Sequence, residues 1–141
     1  MGLERFEQYV VPLYNEAAEV FHAHGKLLGS HLDGNNRLWA KAVAESGLDY
    51  VEAFTPEPDT DMSVVDALRA WPDKVLWINF PSSMHLFPES DIEKITKRMI
   101  DQAAPGNRFL IGITEDVPPD RWQQNMLAIS RVVNRVSQQL S

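Results

Sequence analysis

The chain has 141 residues, 44% hydrophobic and 23% charged, with a formal charge of −7 and no cysteine. That composition fits one globular domain with a real core, and it excludes disulfides, thiolate nucleophiles and thiolate metal ligands. The acidic balance and the lack of a basic run argue against nucleic acid, and no apolar run approaches the roughly 20 residues that cross a bilayer.

The first twenty residues, MGLERFEQYVVPLYNEAAEV, carry acids throughout and have neither a basic nor an apolar leader region. They do not read as a signal peptide, so the expected location is the cytoplasm. Phe6, Val10, Leu13, Ala17 and Phe21 fall on one helical face, which Pro12 should kink or break. His22 and His24 lie near the end of this helix beside Gly25, where a favourable interaction with the helix dipole is the expected role.

Four short apolar runs follow: KLLGSH (26–31), LDYVEAFTP (48–56), KVLWINFP (74–81) and RFLIGITED (108–116). Several are nearly continuous in Val, Ile, Leu, Phe and Trp rather than alternating, as strands are when helices cover the sheet. Between them the period changes to that of helices. Leu38, Ala42 and Val43 form one face, Val64, Val65 and Leu68 a second, and Ile92, Ile95 and Met99 a third. The last face is the longest, with Trp122, Met126, Ile129, Val133 and Val136. Ser63-x-x-Asp66 and Ser90-x-x-Glu93 read as capping boxes.

The order α-β-α-β-α-β-α-β-α implies parallel strands with right-handed crossovers in a single domain over residues 1–141. Four strands and about five helices make half of a (β/α)8 barrel, and a small doubly wound parallel sheet is the alternative. Half a barrel leaves two free edges and an apolar inner face, to be covered by a second copy or by a partner supplying the missing half.

Active sites of such folds lie at the carboxyl ends of the strands. The first end offers His31 and Asp33, the second Glu52 and Thr55, the third Asn79, Ser82, Ser83 and His85, and the fourth Thr114, Glu115 and Asp116. A histidine with carboxylates from different strands suits general acid–base work or a divalent metal. His31, Asp33, Glu52 and Glu115 are the catalytic candidates; Thr55, Asn79 and Asp116 are the ligand-binding ones. On spacing alone His31 also reads as a rim residue, Asp33 as a helix cap and Glu52 as a solvent-facing acid. The four tryptophans, Trp39, Trp71, Trp77 and Trp122, read as core or interface, His85 as a loop residue, and TPEPDTDMS (55–63) as a surface loop or a pocket cover.

Together HLDG, GLDYVEAFTPEPDTD, KVLWINFPSS and FLIGITEDVPPDRW resemble the C-terminal half of the uroporphyrinogen decarboxylase superfamily, which includes cobalamin-dependent and coenzyme M methyltransferases. The resemblance runs from about Phe6 to Val136 and implies the same barrel fold. The methyltransferases hold zinc through an H-x-C motif and a later cysteine. His31 matches the histidine, Asp33 falls on the first cysteine, and Glu115, before Pro118, falls on about the second. The resemblance thus implies a divalent metal, zinc or similar, on His31, Asp33 and Glu115, and no organic cofactor. The decarboxylases need no metal; they carry a histidine where this chain has GITEDVPP. A metal-dependent lyase or transferase acting on a small molecule is the expected function. The alternatives are a non-catalytic binding module and a corrinoid- or thiol-linked methyltransferase, and a homodimer is the expected assembly.

Overall fold

The computed structural model describes residues 1–139. Its first helix, α1, starts as Leu3–Arg5, widens into a π-helical turn over Phe6–Val10 and continues as Val11–Ala23. The expected break at Pro12 does not occur. The wider turn ends just before it, so Pro12 sits in the opening turn of the regular segment, where its missing N–H costs little.

The strands are β1 (Gly29–His31), β2 (Tyr50–Phe54), β3 (Val75–Asn79) and β4 (Phe109–Gly112). The helices between and after them are α2 (Ala40–Ala44), α3 (Val64–Ala70), α4 (Glu89–Gln102) and α5 (Trp122–Gln139), with 3-10 turns at Arg37–Trp39 and Ser82–Leu86. All pairings are parallel and the strand order is β1-β2-β3-β4. That sequential order is barrel-like. It rules out the doubly wound alternative, whose strand order must reverse, and with right-handed crossovers it puts the intervening helices on one face.

Burial confirms the two faces. Val51, Leu76 and Ile78 are fully buried under the helices, whereas Trp77 and Leu110, in register with one another, are 38% and 49% exposed. On this open face aromatic rings lie across glycines of the next strand. The Tyr50 ring occupies the space a Cβ on Gly29 would need, and the Trp77 indole does the same at Gly112.

Ser63 caps α3 as the sequence predicts, its hydroxyl oxygen accepting the Asp66 N–H at 3.0 Å. The Ser90 box does not form. Pro88 holds the N-cap position one residue ahead of Glu89, and Glu93 instead pairs with Arg131 and Arg135 of α5. Leu38, expected to be buried beside Ala42 and Val43, is 56% exposed, because the chain there is a 3-10 turn rather than α-helix.

The amino ends of the strands are sealed by polar contacts. Lys74 is buried and its Nζ donates to the Ser46 and Leu48 carbonyls at 2.9 and 2.7 Å, while Arg108 donates to the Trp71 and Lys74 carbonyls. His22 is no simple dipole partner. Its Nε2 meets the Asp49 carboxylate at 2.8 Å, and the same carboxylate accepts the Leu28 N–H. Burial raises the Asp49 pKa, but the Leu28 amide and His22 outweigh it and hold the group below the usual carboxylate range. His24 does sit at the helix end as expected, donating from Nδ1 to the Val20 carbonyl.

Candidate functional site

His31 ends β1 and pairs in register with Glu52 of β2, so both side chains leave the sheet on the open face. The His31 Nδ1 to Glu52 Oε2 distance is 2.6 Å. A carboxylate only accepts, so the neutral imidazole carries its proton on Nδ1 and presents a lone pair at Nε2. Asp33 Oδ2 lies 3.9 Å from that Nε2, and the His31 side chain is 57% exposed. The Glu52 carboxylate thus orients the His31 ring, and the Asp33 carboxylate stands on the side of its other nitrogen.

Glu52 reaches this place through an irregular strand. Val51 aligns with Leu76 and Phe54 with Ile78, so two residues of β2, Glu52 and Ala53, face the single Trp77 of β3. This β-bulge is the one place among the described residues where a non-glycine adopts a positive φ, Ala53 at 56°. Beyond the bulge Phe54 is fully buried, edge-on to Trp71 with ring centroids 5.6 Å apart.

The other strand-end candidates have structural duties. Asn79 is fully buried; its amide donates to Thr55 Oγ1 at 3.1 Å and its carbonyl oxygen accepts the Thr114 N–H at 2.8 Å. Thr55 in turn reaches the Ala53 carbonyl. These residues lash the ends of β2, β3 and β4 together. Glu115 and Asp116 are exposed in the loop after β4.

The 55–63 loop is stitched to its neighbours rather than left free. Asp61 accepts the Asn36 and Arg37 N–H groups at 3.0 and 3.3 Å, and the Arg37 guanidinium donates to the Asp61 carbonyl and to Asp66. The Arg37 hydrogen bond leads in holding Asp66 below the usual carboxylate range. Asp59 accepts from the backbone and hydroxyl of Ser83. No sequence signal singled out Arg37, since a lone arginine after two asparagines looks like solvated surface.

Among the described residues no group of three or more histidine, cysteine, aspartate or glutamate side chains could hold a metal ion. His31, Asp33 and Glu115 are thus not gathered within one chain, and the Glu52 carboxylate already engages His31 Nδ1. The donor set does not fit the implied metal. A groove of about 890 Å³ between α4 and α5, bordered by Glu93, Lys97 and Arg135, includes none of the strand-end candidates.

A second polar cluster joins the turn after β3 to α5. His85, expected to be a loop residue, is fully buried against Phe80, with ring centroids 5.1 Å apart. The Asn125 amide of α5 donates to its carbonyl at 3.0 Å. Burial pushes the His85 pKa below its ordinary value.

No helix among the described residues is long and apolar enough to cross a membrane. A search of curated proteins finds no match to the chain. The uroporphyrinogen decarboxylase (URO-D) family model matches residues 1–136. That span takes in the helix before β1, all four parallel strands, the His31–Glu52 pair and most of α5, and by it the chain belongs to the uroporphyrinogen decarboxylase family.

Proposed function

We propose that the chain is the acid–base half of a lyase- or transferase-type enzyme acting on a small molecule at the carboxyl ends of its strands. The observation that carries this reading is the 2.6 Å contact between His31 Nδ1 and Glu52, which leaves Nε2 as the ring nitrogen free to exchange a proton at the carboxyl end of a parallel sheet. In a decarboxylation, loss of CO2 leaves an electron pair on carbon. His31 Nε2, beside Glu52 and Asp33, is placed to take a proton from solvent as a base and to deliver it to that carbon, which returns the ring to its starting form. Glu52 fixes the ring's tautomer and orientation. No step is assigned to a metal. Trp77 and Leu110 support a second part of the reading, that another half-barrel, a second copy or a partner chain, covers the open face in the working protein.

The test is CO2 release from carboxylated pyrroles by the purified chain, with its oligomeric state recorded by native mass spectrometry. His31→Asn is expected to lose roughly 100-fold or more in rate and Glu52→Gln about tenfold, both staying folded. Equal rates for His31→Asn and the parent overturn the reading. A folded chain that binds these compounds without turnover replaces it with that of a binding module.

A further inference from the structure

The irregularity in β2 bears on access to the proposed site. Side chains of a regular strand alternate between faces, so residues 50, 52 and 54 would share the open face. Tyr50 and Glu52 do lie there, yet Phe54 does not: it registers with Ile78 and is fully buried in the helix-side core against Trp71. The inserted residue that changes the parity is Ala53, whose φ of 56° lies in the left-handed region that strains an L-residue. Ala53 is itself 1% exposed, and the Thr55 hydroxyl reaches its carbonyl, so packing and the Asn79 network hold the strained form in place.

We propose that Ala53 is a positioning residue, whose left-handed bulge keeps the Phe54 ring off the open face and so keeps the approach to His31 and Glu52 clear. Resting on the reading of His31 as the base, this gives the bulge a role that core packing alone would not require. In an unbulged β2 the benzyl group of Phe54 would stand beside Glu52, two residues along the same face, at the end where substrate must enter. The strain is compensated by burying the same ring elsewhere. Small size also matters at position 53, since a β-branched side chain tolerates the left-handed region poorly.

The experiment measures the rate at which diethyl pyrocarbonate modifies His31, read by peptide mass spectrometry. The reagent attacks an accessible unprotonated imidazole and needs no knowledge of the substrate. Ala53→Gly, which keeps the left-handed turn without strain, is expected to match the parent within about twofold. Ala53→Val, with its circular dichroism retained, is expected to slow modification at least tenfold as Phe54 turns onto the open face. Phe54→Leu in the parent background is expected to leave the rate unchanged, because the ring is already away from the site. A folded Ala53→Val variant that reacts like the parent overturns the proposal. Should Ala53→Val not fold, Phe54→Leu decides: a faster His31 would mean that Phe54 covers the site despite the bulge. None of these rates depends on turnover, so the assignment of His31 as the base stands or falls separately in the CO2 assay.

Discussion

Replacing Asn79 with alanine separates a structural duty from a ligand-binding one. The amide makes two contacts, donating to Thr55 Oγ1 at 3.1 Å and accepting the Thr114 N–H at 2.8 Å, and the residue is fully buried. Each hydrogen bond contributes about 1 kcal/mol net, and the Thr55 hydroxyl keeps its contact with the Ala53 carbonyl. Thr114 is exposed enough for water to take over its N–H. The sum is about 2 kcal/mol, which for a chain of this size lowers the melting temperature by roughly 5–10 °C. Urea unfolding followed by circular dichroism measures it, with an unchanged slope showing that the same surface is exposed on unfolding. Thr55→Val removes the same contact from the other side, so the double variant should be about 1 kcal/mol less destabilised than the sum of the singles. A loss below about 0.5 kcal/mol in Asn79→Ala would refute the account. It would return Asn79 to the ligand-binding role that its place at a strand end suggests.

At the opposite end of the sheet, Lys74→Met should cost about 2–4 kcal/mol in the same urea assay, because the Ser46 and Leu48 carbonyls lose a charged donor. Turnover per folded molecule should not change. His85 makes stability depend on mild acid. Its folded pKa lies below the ordinary 6.5, so the unfolded chain binds a proton that the folded one refuses. Stability from this group is therefore complete above about pH 7 and falls as pH drops below about 6.5, by at most about 1.4 kcal/mol per unit. Denaturation midpoints between pH 7 and 5 should show this slope in the parent and lose it in His85→Gln; an unchanged slope in the variant refutes the assignment. Asp49 and Glu93, both held below the usual carboxylate range, lose their contributions only at lower pH.

The elements that hydrophobic pattern specifies were legible in the sequence: four short apolar runs, each followed by a helical period, give the parallel sheet. The charge within an apolar run marked Glu52, and the strand-end rule marked His31. Backbone events were not legible. Nothing in YVEAF tells that Ala53 adopts φ 56°, and a strict alternation places Phe54 on the wrong face. Pro12 reads as a helix breaker because the pattern does not reveal that a π-helical turn ends just before it. His85 reads as a loop residue because the turn that carries it packs against α5, which comes 36 residues later in the chain. Ser90 looks like a cap because Pro88, two residues earlier, competes for the same role with no side-chain hydrogen bond at all.

The sheet also sets how copies of this chain could join through their ladders. Within the described residues β1 pairs only with β2 and β4 only with β3, so each molecule has two unlike edges running in the same direction. The edge of β4 on one molecule can extend in parallel along β1 of the next, and that contact is head-to-tail. Repeated without closing, it grows a filament; closed after two molecules, it makes a ring of eight strands. The twist carried from one strand to the next decides between these ends, so a substitution that flattens the sheet would move such a contact from the closed ring towards the filament without altering an edge residue.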